Sequence, residues 1–237
     1  MRIRAGASDG DDWDLTSQPI ARACDLRTLL IRHAQTVWNA SSRIQGQADP
    51  ALSQEGWVQC QLLGERMRDT SLSRVYTSDL ERARRTAEAV AGDRPAPILE
   101  PRLREVDLGE WEGATSAGLE QDYPELFKAW LQSPSWDLVP GGEGEDAFET
   151  RVSAVMTDIL GAAAEDDTVA VVTHIGVIRL LLTVIAGTQR NNMRWRWAIH
   201  NTSLCSIDSR ADFSAWRGGD VAVVAINDNA HMKMVPA

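Results

Sequence analysis

Two stretches of this 237-residue chain share one pattern, a short apolar run that ends at a histidine. Residues 29–32 lead to His33, and residues 169–173 lead to His174. Runs of this length fit strands that are buried on both faces of a parallel sheet. In open α/β sheets, ligands bind at the carboxyl ends of strands, beside helix N-termini. The pattern predicts an α/β fold in which the two histidines can converge, with a structural role for each histidine as the simpler alternative.

Other helix and strand signals in the sequence agree with one α/β domain. Ser53 is predicted to N-cap a helix, and Ser78 and Glu81 have the spacing of a capping box at the start of another. Residues 202–207 and 221–226 are predicted strands, which could add an antiparallel hairpin to the sheet. The expected fold class is three-layer α/β, with helices on both faces of a mostly parallel central sheet.

The domain boundaries follow from changes in composition. Residues 1–25 are polar and acidic and are expected to form a flexible N-terminal extension. Residues 26–227 are expected to form one domain, which a chain of this length can do. Residues 228–237 are predicted to be a polar C-terminal tail.

Charge and cysteine content limit the partners and the compartment. The net charge is −10, whereas a nucleic-acid surface needs a basic stripe. No apolar run approaches the roughly 20 residues of a membrane helix, and no secretory signal is visible. We therefore expect no nucleic-acid and no membrane partner, although a local phosphate pocket remains compatible with this charge. The three cysteines contain no CxxC pair, which favours a cytoplasmic location and argues against a zinc ribbon.

One arginine in the predicted helix after Ser78 is a candidate anion ligand. Two neighbouring arginines can form i,i+4 ion pairs, Arg85 with Glu81 and Arg84 with Glu88. Arg82 has no acid at those offsets. It lies in the first turn of the helix, beside the carboxyl end of the preceding strand, and is therefore available to bind an anion.

Five segments, in order, resemble one known family. Residues 30–39, LIRHAQTVWN, resemble the RHG signature of the histidine phosphatase superfamily, the phosphoglycerate mutase-like proteins. The other four segments are residues 43–53, 76–83, 103–113 and 172–179. Together the match covers about residues 26–207. The resemblance implies a phosphoglycerate mutase-like fold and phosphoryl transfer through a phosphohistidine.

The resemblance also implies roles for particular residues. His33 is the nucleophile, Arg32 and Arg82 hold the phosphoryl oxygens with His174, and Glu105 is the general acid. The residue types suit this chemistry, because phosphoryl transfer needs positioning and charge neutralisation, imidazole is a nucleophile near neutral pH and guanidinium groups bind phosphate in a bidentate manner. No metal and no cofactor are expected, since the arginines supply the positive charge.

Other residues have smaller implied roles. Glu110 and Glu112 are the competing acids, and a structural or solvent-facing role is expected for both. Ile175 follows His174 at a position where the family commonly has glycine, and so adds a side chain near the phosphate. The plausible substrate-binding residues are Thr36, Asn39, Gln45, Gly46 and Ile175.

The function implied is a phosphatase that hydrolyses phosphomonoesters of small metabolites. Mutases of the family usually carry a longer insertion between the acid loop and the second histidine, and the modest interval here favours hydrolysis. The alternatives are a cofactor-dependent phosphoglycerate mutase, a non-catalytic phosphate-binding member, and a Rossmann-like nucleotide binder, which the missing glycine fingerprint disfavours. The sequence leaves open which phosphorylated substrate is used and whether the protein is a monomer or a homodimer.

Overall fold

The computed structural model describes residues 26–188, 197–218 and 220–234. Within these ranges the strands form one sheet, and their bounds are β1 Leu26–Arg32, β2 Arg74–Thr77, β3 Ile98–Leu99, β4 Asp167–Thr173, β5 Leu204–Ser209 and β6 Val221–Asp228. Their order across the sheet is β3-β2-β4-β1-β5-β6. The pairs among β1 to β4 are parallel, and β5 is antiparallel to both of its neighbours. The predictions of a mostly parallel sheet and of an added antiparallel hairpin are confirmed.

Helices cover both faces of this sheet. Their bounds are α1 Val37–Ala40, α2 Gln54–Met67, α3 Glu81–Ala91, α4 Ser116–Asp122, α5 Pro124–Gln132, α6 Gly144–Gly161, α7 Ile175–Ile185 and α8 Phe213–Gly218. Side chains of β4 alternate between two apolar clusters, as successive strand residues must. Val169 and Val171 pack with residues of α6 and α7. Ala170 and Val172 pack with residues of α2 and α3. The three-layer prediction is therefore confirmed.

The register of the two central strands brings their histidines to one edge. Arg32, the last residue of β1, is paired with Thr173, the last residue of β4. The backbone N–H of His33 then donates to the carbonyl of Thr173 at 2.9 Å. Because the two strands are parallel, adjacent and end at the same level, the residues that follow them, His33 and His174, are neighbours in space.

The predicted starts of two helices have different outcomes. The N-cap at Ser53 is confirmed, since its hydroxyl accepts a hydrogen bond from the Gly56 amide at 3.0 Å. The capping box at Ser78 is wrong, because α3 begins at Glu81 with no side-chain cap from its own segment. Instead, the Glu81 amide donates to the carboxylate of Asp49 at 2.6 Å. A loop that is distant in the sequence thus caps α3.

The chain remains packed beyond the boundary predicted at residue 227. Strand β6 ends at Asp228, and Ala230–Met234 form a 3-10 turn. His231 in this turn is buried, accepts from Arg66 at 3.3 Å through Nδ1 and donates from Nε2 to the Thr202 hydroxyl at 3.1 Å. Part of the predicted tail therefore contributes to the domain. The predicted extension 1–25 and residues 235–237 lie outside the described residues.

Acid should weaken this C-terminal contact. Burial and the Arg66 guanidinium lower the pKa of His231 to about 4, whereas an unfolded histidine titrates near pH 6.5. Between these values the unfolded chain binds a proton that the folded chain excludes, so the free energy of unfolding falls as the pH drops. We expect His231→Gln to lose less stability than the wild type between about pH 7 and pH 4 in denaturant titrations. An equal loss of unfolding free energy in the wild type and in His231→Gln would contradict this expectation. The control is His200→Gln, a substitution at an exposed histidine.

The described helices include none that is both long enough and apolar enough to cross a membrane.

Candidate active site

The two strand-end histidines converge as the sequence predicted. The ring centroids of His33 and His174 are 5.1 Å apart, and the ring planes are tilted by 55°. Both side chains are almost completely buried. Their position at the carboxyl edge of the sheet is the place where α/β folds bind ligands.

The hydrogen bonding of His33 leaves one ring nitrogen available. Its Nδ1 lies 2.8 Å from the carbonyl oxygen of Ala34, which can only accept, so Nδ1 carries the hydrogen and Nε2 keeps its lone pair. Burial, Arg82 and Arg32 hold the pKa of His33 well below its usual value. The imidazole is therefore neutral at neutral pH, which is the form that attacks an electrophile.

The main chain around His33 is held by residues that sequence reasoning did not identify. The side-chain amide of Asn201 donates to the His33 carbonyl at 2.9 Å. The Ala34 amide donates to the hydroxyl of Thr86 at 2.9 Å. Asn201 precedes β5 and Thr86 lies in α3, so their approach to His33 depends on the strand order and carries no local sequence signal.

Arg32 is a partly buried cation with a buried donor that has no partner. Its Nη1 donates to the carbonyl of Ile199 at 2.7 Å, while its buried Nε has no hydrogen-bond partner. Burial is the main cause that lowers the pKa of Arg32 to about 10. The guanidinium therefore stays charged at neutral pH.

Arg82 lies in the same region, held by the loop that follows α1. Its Nη2 donates to the carbonyl of Gly46 at 2.7 Å, and its Nη1 donates to the carbonyl of Ala48 at 2.6 Å. Asp49 forms an ion pair with Arg82 at 3.3 Å. The prediction that no acid pairs with Arg82 holds within α3 but not for the folded chain. The side chain is 1% exposed, and its Nε has no partner.

Several buried polar atoms of these residues have no hydrogen-bond partner in the structure. They are Nε of Arg32, Nε of Arg82 and both ring nitrogens of His174. A buried donor without a partner costs about 1–3 kcal/mol, and an oxyanion bound here would satisfy several such donors at once. Burial, Arg82 and His33 hold the pKa of His174 well below its usual value. His174 is thus neutral in this structure and offers a single N–H.

Glu105 lines the same cavity as Arg32, His33 and Arg82. Its Oε1 accepts from the Val106 amide at 3.0 Å, and its Oε2 accepts from the Gly176 amide at 3.1 Å. The side chain is buried. Because Gly176 is the second residue of α7 and follows His174 closely, the helix start places the carboxylate beside the histidine pair.

Gly176 is expected to be required for this placement of Glu105. A Cβ atom at position 176 would lie 2.1 Å from Oε1 of Glu105, so the carboxylate must move. We expect Gly176→Ala to lower kcat/KM for alkyl phosphates by about 10²-fold, the typical effect of misplacing a catalytic group by 1 Å. The matched control is Gly161→Ala in α6, where a Cβ meets no atom within 4 Å. Equal kcat/KM in the two variants would contradict this expectation, provided that thermal unfolding shows both to be folded.

Glu110 and Glu112 have the structural or surface roles expected of them. Glu112 accepts from the amides of Gln47 at 2.6 Å and Ala48 at 2.8 Å, so it holds the loop whose carbonyls bind Arg82. Glu110 is exposed and accepts from the Tyr123 hydroxyl at 2.7 Å. Neither of these two residues lines the cavity that contains His33.

That cavity has a volume of about 200 Å³. Four of the predicted substrate-binding residues line it, Asn39, Gln45, Gly46 and Ile175. Thr36 does not, because it is buried and its hydroxyl donates to Gln45 at 3.0 Å. The lining residues that were not predicted are Arg43, Ile44, Val106, Leu108, Trp136, Gly176 and Arg179. They come from loops and helices far apart in the sequence, so only the fold shows that they share a wall.

Within the described ranges, no group of three or more histidine, cysteine, aspartate or glutamate side chains has an arrangement that could hold a metal ion.

Comparisons with known proteins agree with this geometry. The model of the "Histidine phosphatase superfamily (branch 1)" matches residues 28–222. The "Probable phosphoglycerate mutase GpmB" of Erwinia tasmaniensis is 32% identical over 209 residues, 88% of this chain and 95% of the relative. Among solved structures, Bacillus stearothermophilus YhfR has 32% identity and a TM-score of 0.75, covering 87% of this chain and 99% of that one. The alpha-ribazole phosphatase from Shigella flexneri has 28% identity and a TM-score of 0.74, covering 85% and 96%.

Proposed function

The chain belongs to the histidine phosphatase superfamily, and on this basis we propose that it hydrolyses phosphomonoesters of small metabolites through a phosphohistidine on His33. One observation carries the proposal. His33, whose neutral ring keeps Nε2 unprotonated, lines one cavity with Arg32, Arg82 and Glu105, and the ring centroid of His174 is 5.1 Å from that of His33. Arg32, Arg82 and His174 each have a buried nitrogen without a partner. Nucleophile, oxyanion donors and proton donor are the parts that phosphoryl transfer needs.

In the first step, Nε2 of His33 attacks phosphorus in line with the leaving oxygen. The P–N bond forms as the P–O bond breaks, and Glu105 in its acid form gives its proton to the leaving alkoxide. Arg32 and Arg82 neutralise the equatorial oxygens, and His174 donates a further hydrogen bond. The bond from Nδ1 of His33 to the Ala34 carbonyl keeps the imidazole oriented.

In the second step, water displaces the histidine. Glu105, now a carboxylate, accepts a proton from the water as its oxygen bonds to phosphorus and the P–N bond breaks. This returns Glu105 to its acid form and His33 to its neutral form, and inorganic phosphate leaves. The same carboxyl group thus acts as acid and then as base, as microscopic reversibility allows.

An assay with 3-phosphoglycerate separates hydrolysis from mutase activity. A phosphatase releases inorganic phosphate, whereas the mutase alternative, suggested by the name of the Erwinia relative, forms 2-phosphoglycerate in the presence of a bisphosphorylated primer. A panel of other phosphomonoesters extends the assay beyond this substrate. Isomerisation without phosphate release would favour the mutase. Binding of phosphate without turnover of any ester would favour the non-catalytic alternative.

We propose that catalysis needs no divalent metal, because Arg32 and Arg82 supply two permanent positive charges at the phosphoryl group. Phosphatase activity is expected to stay within about twofold of its initial value in excess EDTA. EDTA can remove a metal ion but not an arginine side chain, which keeps its positive charge. Vanadate, which adopts the geometry of the phosphoryl transition state, is expected to inhibit it competitively. Loss of activity in EDTA that Mg²⁺ restores would contradict the proposal.

A cytoplasmic location is proposed from the cysteine pattern of the sequence. Its support in the structure is that Cys60 and Cys205 are buried free thiols, as a reducing compartment allows. A small phosphorylated metabolite is the proposed partner. The sequence predictions of no nucleic-acid and no membrane partner remain predictions.

A further inference from the structure

The cavity wall beyond the phosphoryl-binding residues is mainly apolar. Five apolar residues line it, and we refer to them as the apolar wall: Ile44, Val106, Leu108, Trp136 and Ile175. Val106, Leu108 and Trp136 are buried members of the larger core cluster. Ile44 and Ile175 are partly buried and pack against that cluster. Because the core holds all five side chains, the wall is a preformed surface of the fold.

Each of the four other polar side chains that line the cavity makes at least one hydrogen bond to the protein. The Asn39 side-chain oxygen accepts from the Thr36 amide at 3.1 Å, and Gln45 accepts from the Thr36 hydroxyl at 3.0 Å. Two arginines donate to backbone carbonyls, Arg43 to Gly113 at 2.7 Å and Arg179 to Trp197 at 3.1 Å. A sugar or glycerate group would place its hydroxyls against the apolar wall. Moving a hydroxyl out of water is unfavourable when it finds no hydrogen-bond partner there.

Within the apolar wall, Ile175 is the residue that lies beside His174 and Gly176 in the sequence. It is the first residue of α7, between His174 and Gly176, and the Gly176 amide binds the carboxylate of Glu105. The leaving oxygen of a substrate must come within hydrogen-bond reach of Glu105. The first carbons attached to that oxygen therefore lie near the Ile175 side chain.

We infer that this site selects phosphomonoesters whose organic part is an alkyl or aryl group with an apolar face, in preference to sugar phosphates and phosphoglycerate. This inference rests on the proposed phosphatase function. Apolar contact supplies the binding free energy, because each buried methylene leaves water favourably. The arginines and histidines then recognise only the phosphoryl group common to all such esters.

The test is a series of primary alkyl esters, so that the leaving groups are chemically similar. Ethyl, butyl and phenethyl phosphate are compared with glycerol 1-phosphate and 3-phosphoglycerate. We expect kcat/KM to rise about fourfold per methylene from ethyl to butyl phosphate, the factor for burying one methylene. Phenethyl phosphate should exceed both hydroxylated esters by about tenfold or more. A higher kcat/KM for 3-phosphoglycerate or glycerol 1-phosphate would overturn the inference while leaving the phosphatase function intact.

A variant of the wall tests the same inference from the protein side. Ile175→Ala should lower kcat/KM for butyl and phenethyl phosphate by about tenfold or more, and for ethyl phosphate by less than about threefold. The matched control is Ile185→Ala, in the same helix and also partly buried but outside the cavity. Ile44→Ala provides an independent second variant if Ile175→Ala does not fold. Equal losses for all three esters would overturn the inference, and failure of the wild type to hydrolyse any ester would overturn the phosphatase function itself.

Discussion

His33→Ala is expected to lower kcat by at least about four orders of magnitude, the scale seen when a covalent nucleophile is removed. Among the described residues that line the cavity with Arg32, Arg82 and Glu105, His33 is the one histidine, since His174 does not line it. The loss should appear in kcat, because the arginines that bind the phosphoryl group remain in place.

The covalent intermediate can be trapped directly. Rapid quench with ³²P-labelled substrate should give an acid-labile, base-stable phosphoprotein in the wild type, and peptide mapping should place the label on His33. His200→Ala, which removes an exposed histidine outside the cavity, should label like the wild type. Label on His174, or on serine or aspartate, would disprove the assignment of His33. Full activity in His33→Ala would disprove it independently.

Glu105→Gln is expected to slow turnover of alkyl phosphates by about 10²–10⁴-fold, the usual contribution of a general acid. The glutamine keeps the size of the side chain, but its single oxygen can accept from only one of the Val106 and Gly176 amides, and it has no acidic proton to give. An aryl phosphate with a low-pKa leaving group needs less protonation, so its phosphorylation step should suffer less. Burst kinetics separate this step from hydrolysis of the phosphohistidine, in which we propose that Glu105 also acts.

Glu110→Gln is the matched control for this experiment, because Glu110 belongs to the same loop and is exposed. It should keep nearly the wild-type rate with both classes of substrate. Glu112→Gln is different, since the Glu112 carboxylate holds the loop that positions Arg82, and a loss there should be the same for alkyl and aryl esters. Equal slowing of the phosphorylation step for alkyl and aryl esters in Glu105→Gln would reject Glu105 as the proton donor.

The central elements of the fold could be predicted because their signals are local. An apolar run of strand length, a histidine at its end and a helix start after it lie within about ten residues at both His33 and His174. Alternation along β4 then requires helices on both faces. The candidate residues Arg32, His33, Arg82, Glu105 and His174 were likewise proposed from motifs that resemble the family, although the motifs alone state nothing about how close these residues lie.

Tertiary structure alone decided which partners these residues have. Arg82 is unpaired within α3 yet is held by Asp49 and by carbonyls of the loop after α1. The His33 carbonyl is bound by Asn201, 168 residues away. The cause is the strand order, which places β5 beside β1, and β1 beside β4. Periodicity within one element contains no information about that order, so the buried partners, the apolar wall and the contacts of Glu105 follow only once the sheet is assembled.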